Sequence, residues 1–263
     1  MVYVVERTTA TPLPTLARHS PLAGLPPSLQ DLIQRIEQCT QLTPALLQTC
    51  LQAAQVQPAD LLPWADFEHP VTDGYGRQLV YDGGRFEVMV MSWREGDYSA
   101  IHDHGATEWG AVQCFGHAEH YTYTFMENVL HTQAHCDFTP GEIKLVDHDL
   151  IHQMGNPVGN PGQAQILSLH VYGCTRATAS ITGNARIFDL LEQCIQYTDG
   201  GVFFALPNAA IASRDMGISG DRATTLRHHR QMRDRLERIV AQRPEPYWLS
   251  RLVALERAID PLM

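Results

Sequence analysis

The segments Gly96-Asp-Tyr-Ser-Ala-Ile-His102-Asp-His104 and Ile151-His152-Gln-Met-Gly-Asn156 decide how this chain is read. Side chains alternate between the two faces of a strand, so His102 and His104 project from one face while Asp103 points away. His152, 48 residues beyond His104, completes a three-nitrogen face if it lies on a neighbouring strand. Imidazole suits iron, zinc, copper and nickel, and three protein ligands leave coordination positions for substrate or water. With 13 histidines in the chain, a close pair alone says little. This pair has a frame: Gly96 before it, Gly116 a strand-length beyond it, and, for the third histidine, Gly141, Asp147-His148-Asp149 and Asn156. The spacing points to a metalloenzyme.

Strand patterns surround these blocks. Arg77-Gln-Leu-Val-Tyr81, Asp82-Gly83-Gly84 and Phe86-Glu-Val-Met-Val-Met-Ser-Trp93 read as a hairpin. Further β-like segments follow at 98–104, 109–115, 117–125, 129–136, 142–147 and 164–173, and a second hairpin is expected at Gln196-Tyr-Thr-Asp-Gly-Gly-Val-Phe-Phe-Ala205. Many short strands with Gly-rich turns suit a small antiparallel barrel. The two histidine blocks resemble the paired motifs of the cupin superfamily, whose metal ligands come from a His-x-His and a later His. The fold class is therefore mainly β, a cupin (jelly-roll-like) β-barrel with N-terminal and C-terminal helices packed outside.

The helices are read from periodicity. Leu29, Leu32, Ile33 and Ile36, then Leu46, Leu47 and Leu51, recur at helical spacing, and Thr43-Pro44 is a good N-cap and first-turn pair. After Gly220 come Leu226, Met232, Leu236, Ile239 and Val240, and a last helix carries Leu249, Leu252, Leu255 and Ile259. These apolar stripes pack on the barrel or on a partner subunit, which makes a homo-oligomer through the terminal helices one reading. The chain divides into an N-terminal arm and helices (1–62, with 1–27 loosely attached), a cupin barrel (63–212) and a C-terminal helical extension (213–263), taken as one globular unit.

Composition narrows the function classes. A net charge of -10, from 19 basic and 29 acidic residues, argues against a phosphate-tracking nucleic-acid surface. No apolar run is long enough to span a bilayer, and Met-Val-Tyr-Val-Val-Glu-Arg lacks the features of a signal peptide. Cys39, Cys50, Cys114, Cys136, Cys174 and Cys194 show no CxxC spacing and read as reduced thiols of a cytoplasmic protein.

In a generic cupin a glutamate after the His-x-His supplies a fourth ligand. Glu108 stands at about that place, whereas counting back from Gly116 puts Trp109 in the slot. With Glu108 bound, the site suits zinc, manganese or nickel. Without it, three histidines leave three open positions, which suits iron holding a bidentate substrate and dioxygen. Tyr75-Gly-Arg77, Trp93-Arg-Glu-Gly96, Ile101-His-Asp-His104, His152 with Asn156, and Ser168-Leu-His170-Val-Tyr172 occur in the order found in the cysteine dioxygenase family, which the chain resembles over residues 70–175.

That resemblance implies Fe(II) held by His102, His104 and His152, with a small thiol and O2 as the partners. It implies Arg77, in the Tyr-x-Arg frame, as the clamp on a substrate carboxylate, with Tyr75 beside it. Tyr172 would place its hydroxyl near the iron, oriented by His170 and Ser168, and Trp93 and Trp109 would line the pocket. The function implied is conversion of L-cysteine and O2 to cysteine sulfinate in cysteine catabolism. Two alternatives stay open: a dioxygenase of another thiol acid such as 3-mercaptopropionate, and a metal-binding cupin without oxygenase chemistry, either a zinc isomerase or a sensor. Animal-type members carry a cysteine after the His-x-His that is joined covalently to the tyrosine. Here the residues are Glu108, Trp109 and Gly110, so no cross-link is expected, and Cys114 reads as a core thiol.

Overall fold

Thirteen strands and five helices build the computed structural model, which describes residues 22–160, 163–175 and 181–263. Most of the expected N-terminal arm lies outside the described residues. Helices α1 (Pro27–Gln38) and α2 (Pro44–Ala54) form where the periodicity predicts them. The Thr43 hydroxyl accepts the Leu46 N–H at 3.2 Å, as its capping role requires. Leu29, Leu32, Ile33 and Ile36 are all fully buried. Each such side chain contributes about 1.5–3 kcal/mol of burial, which fixes α1 against its neighbours. A short α3 (Pro58–Leu61) leads into the strands.

The strands are β1 (Gly76–Asp82), β2 (Phe86–Arg94), β3 (Asp97–Tyr98), β4 (Trp109–Cys114), β5 (Glu119–Met126), β6 (Val129–His135), β7 (Ile143–Asp147), β8 (Ile151–Asn156), β9 (Gln165–Gly173), β10 (Ala185–Asp189), β11 (Cys194–Thr198), β12 (Ser213–Met216) and β13 (Ser219–Gly220). Helices α4 (Arg222–Gln242) and α5 (Pro246–Ile259) follow. One sheet runs β1-β2-β9-β4-β7 and the other β13-β6-β5-β8-β3, with a smaller β10-β11-β12 sheet beside them. This is a mainly β cupin-like architecture with the helices outside. The outer face of the first sheet buries Val88, Val90, Ala111, Leu169 and Val171 against α1 and α2, while α4 and α5 pack on the core that fills the barrel.

Three sequence expectations shift. The strand expected over 98–104 is two residues long, and His102 instead makes isolated bridges to His152 and Ile187. The second hairpin lies at β10–β11, not at 196–205. Its turn is made by Asp189, whose carboxylate accepts the Leu191 and Glu192 N–H groups at 3.0 Å each, and by Gln193 at φ 51°. Gly200-Gly201 punctuates an irregular segment instead, which tucks Val202 and Phe204 into the core. Residues Ser213–Met216 and Ser219–Gly220, grouped by sequence with the C-terminal helices, are strand.

Helix α4 reaches the site by one buried side chain. Arg235 donates to the Asp97 carboxylate at 2.6 Å and to the carbonyls of Val71 and Gly96 at 3.2 Å. Asp97 also meets His69 Nε2 at 3.0 Å and accepts the Arg94 N–H. The start of the segment that leads to the His-x-His is thereby anchored. No described helix is long and apolar enough to cross a membrane.

Candidate active site

The barrel register brings the three histidines together. His102 and His152 exchange both backbone hydrogen bonds, N to O at 3.0 and 2.9 Å, so the two rings leave the sheet side by side. His104 follows two residues on, and its Nε2 stands 3.1 Å from Nε2 of His152. Ring nitrogens of the three lie within 4.8 Å of one another, and all three residues are buried. Two nitrogens at right angles about a metal, each about 2.1 Å from it, would be about 3 Å apart, which the observed pair matches. Burial, only partly offset by the Ala100 carbonyl and Asp103, pushes the His102 imidazole down to about 4, and burial together with the neighbouring imidazoles holds His104 and His152 well below their ordinary range. All three present neutral lone pairs at pH 7, the form a metal takes. The donor set fits a metal ion.

The histidines face a small cavity that is partly open to solvent. Tyr75, Arg77, Trp93, His170 and Tyr172 line it with the three histidines, so the structure gathers those sequence candidates in one place. Arg77, half-buried on β1, makes no hydrogen bond and no ion pair among the described residues, with the Glu87 carboxylate acting on it only through space. Tyr75 stacks on Trp93 with centroids 4.6 Å apart, and its hydroxyl oxygen accepts the Val202 N–H at 3.1 Å.

A chain of polar contacts runs down β9. Trp93 Nε1 donates to Ser168 Oγ at 2.9 Å, Ser168 Oγ meets His170 Nε2 at 2.8 Å, and His170 Nδ1 meets the Tyr172 hydroxyl at 2.8 Å. Indole can only donate, so Ser168 accepts from Trp93; with the Ser168 hydroxyl donating to His170 Nε2, His170 Nδ1–H donates to Tyr172. The tyrosine proton is then left free toward the cavity. Burial holds His170 at about 3 and raises the Tyr172 phenol, keeping both neutral.

Several expected residues fall elsewhere. Trp109 does not line the cavity: it faces the α1–α2 side, and its indole covers Gly173. The inward residue of that pair is Gly110, opposite Tyr172 in register, where a Cβ would come 2.7 Å from the tyrosine ring. Counting from Gly116 is one residue out, and the place facing Tyr172 holds no side chain. Glu108 is exposed, and its carboxylate accepts the Thr175 N–H at 2.8 Å and the Thr175 hydroxyl, outside the histidine group. Asp103 also borders the cavity, but its carboxylate is taken up in an ion pair with Arg186. His148 is exposed, and Cys114 is fully buried with its thiol pushed up to about 12. None of the six cysteines forms a disulfide.

The sequence profile of the family described as "Cysteine dioxygenase type I" matches residues 14–174, more than half of the chain. The chain belongs to that family. The match reaches well upstream of residue 70, into the first helices. Curated relatives are "Cysteine dioxygenase type 1" of Danio rerio, 35% identical over 83 residues, and of Bos taurus, 34% identical over 83 residues. Each alignment covers 30% of this chain and 40% of the relative, so the chain spans less than half the length of these members of the family. Among solved structures it is similar to a cupin-2 domain of Rhodospirillum rubrum, at 14% identity and TM-score 0.30, covering 42% of this chain and 66% of that one. It is also similar to an uncharacterized protein with a double-stranded β-helix domain from Klebsiella pneumoniae, at 16% identity and TM-score 0.34, covering 48% and 89%.

Two features escape sequence reasoning. Thr182, Ala185, Gly200 and Val202, all beyond the stretch matched by the cysteine dioxygenase profile, complete the cavity wall. His120 on β5 stands behind His152, with its Nε2 2.9 Å from His152 Nδ1. In sequence it is one more polar residue of an alternating strand. Its contact depends on a pairing that spans 32 residues.

Proposed function

We propose that the protein is an iron(II)-dependent thiol dioxygenase of cysteine catabolism that converts L-cysteine and O2 to cysteine sulfinate. The observation that carries this reading is a three-imidazole face sharing one cavity with the unpaired guanidinium of Arg77. Family membership supports the reaction class.

His102, His104 and His152 would hold the iron, which when bound supplies the redox chemistry that joins dioxygen to a thiolate. The change balances without a further reductant: both oxygen atoms end on sulfur, which loses the four electrons that dioxygen gains. Arg77 pairs with the substrate carboxylate through two parallel N–H groups and stays charged in a half-buried place where lysine would lose its proton more readily. The Tyr75 oxygen already accepts from Val202, so its own proton is free to donate to the same carboxylate. Tyr172, with His170 donating to its oxygen, turns its proton toward the reacting group and stays un-ionised while doing so. Trp93, Met89, Met91 and Met154 give the cavity apolar walls that limit water. Glu108, bound to Thr175, leaves the metal's remaining positions to substrate and oxygen.

Oxygen-electrode turnover of the iron-loaded protein tests this with cysteine, cysteamine, 3-mercaptopropionate and homocysteine. Cysteine is expected to drive the fastest uptake, with sulfinate as product. Fastest uptake on 3-mercaptopropionate would move the substrate to the other thiol acid. Tight zinc with no uptake on any thiol would remove the oxygenase reading.

A further inference from the structure

We propose that His120 is a positioning residue for the metal site: it accepts the Nδ1–H of His152 and so holds that ring in the tautomer and orientation that turn Nε2 to the metal. The inference rests on the reading of His102, His104 and His152 as ligands.

A neutral imidazole has one N–H and one lone pair, and only its surroundings decide which nitrogen carries which. His152 Nε2 faces His104 at 3.1 Å and its Nδ1 faces His120 Nε2 at 2.9 Å. For Nε2 to offer its lone pair, Nδ1 must donate, and His120 Nε2 must accept. His120 can accept there only with its own proton on Nδ1. That nitrogen lies 3.3 Å from Cys136 Sγ, which takes the hydrogen bond. The chain thus runs in one direction, from His152 through His120 to sulfur. His120 is itself fixed: its backbone N–H donates to the Asp137 carboxylate at 3.1 Å, and its ring meets Phe138 edge-on at 5.1 Å.

The other two ligands show what the device adds. His102 Nδ1 lies 2.9 Å from the Ala100 carbonyl, an acceptor only, so its tautomer is set by backbone. His104 Nδ1 is buried with no partner among the described residues. Among the described residues, His152 is the ligand whose Nδ1 meets a side chain, and therefore the one whose tautomer a substitution elsewhere can unseat. Partners of this kind are typically worth about 10–100-fold in metal affinity or activity.

The test compares His120→Gln, His120→Asn and His120→Leu in the full chain, by competitive titration of the apoprotein with Co(II) against a chromophoric chelator. A glutamine oxygen reaches the place of Nε2, whereas an asparagine reaches only that of Nδ1. His120→Gln is expected to bind within about threefold of wild type with the wild-type Co(II) spectrum; His120→Asn and His120→Leu should bind about 10–100-fold more weakly with an altered spectrum. Should His120→Leu fail to fold, the contrast between the two amides decides. Equal affinities for Gln and Asn, or wild-type affinity in a folded His120→Leu, would overturn the proposal. A His152→Ala control separates the two levels. Undiminished Co(II) binding there defeats the ligand reading itself, while lost binding there together with a wild-type His120→Asn defeats only the role of His120.

Discussion

His104 and His152 approach nitrogen to nitrogen at 3.1 Å inside the barrel, and His228 and His229 do the same on α4, also at 3.1 Å. Both pairs are buried, and in both, burial drives the imidazoles below their ordinary range. They part company in what surrounds them. The barrel pair gains His102 as a third converging nitrogen, opens on a cavity with Arg77, and is braced by His120. On the helix the two residues are consecutive, so their side chains diverge by roughly 100° about the axis. Among the described residues no third ligand-type side chain joins them. His228 packs edge-on against Phe204 instead, with Nε2 unpartnered. Close, buried, neutral histidines are thus a packing motif in one place and a donor set in the other. Convergence makes the difference.

Substitution should expose that contrast most sharply through metal content. His102→Ala, His104→Ala and His152→Ala are each expected to abolish stoichiometric iron binding, whereas His228→Ala and the exposed His148→Ala should load like wild type. Iron retained by the His152 variant would erase the distinction between the two pairs.

Arg77 is the next discriminator, since it shares the cavity of the barrel cluster and makes no ion pair among the described residues. Arg77→Ala should cost about 2–5 kcal/mol on cysteine, roughly 30- to 5000-fold in turnover, and very little on cysteamine, which lacks the carboxylate. Arg77→Lys should recover only part of the loss. Equal losses on both substrates would assign Arg77 to the fold.

Acid should reveal what the two regions share. His170 and His228 are buried and depressed, so between the ordinary imidazole value and their folded values the unfolded chain binds more protons than the native one. Stability of the apoprotein is therefore full above about pH 6.5 and falls as pH drops below it, for His170 down to about 3. Each group adds up to about 1.4 kcal/mol per pH unit to the slope. Unfolding free energies from urea titrations across pH 7 to 4 should show a slope shallower by up to about that amount in His228→Gln; an unchanged slope would remove His228 from the acid response. The smallest effect belongs to Glu108. Glu108→Gln should leave metal content unchanged and turnover within about twofold, and loss of metal would restore Glu108 as a ligand.

The barrel and its donor set were legible because they rest on short-range rules: period-two alternation placed His102 and His104 together and Asp103 apart. Arg77 and the Ser168–His170–Tyr172 run came through resemblance; the structure gathers Arg77, His170 and Tyr172 around the same cavity, with Ser168 bonded to His170 behind it. Ile151–Asn156 was harder to see as a strand, since it is buried on both faces and buries His152, Gln153 and Asn156, which destroys alternation. Trp109 was misplaced by one residue because counting from Gly116 cannot tell which neighbour faces inward. His120 was invisible for another reason: its partner is set by the pairing of β5 with β8, and local sequence carries no record of that register.

The reciprocal backbone bonds between His102 and His152 have a consequence for how the centre is inherited. Two of its three donors are pinned by the same hydrogen bonds that hold the sheet, so the seat is finished when the barrel closes, before any ion arrives. Capture of the metal then requires little ordering of the chain. Loading should be fast and leave the fold unmoved, and apoprotein should survive as a native reservoir. The same economy has a hazard. A slip of one residue between those segments would turn one imidazole to the opposite face and discard the centre in a single event, whereas α1 and α2, packed on the outer face of the first sheet, can drift in sequence without touching it.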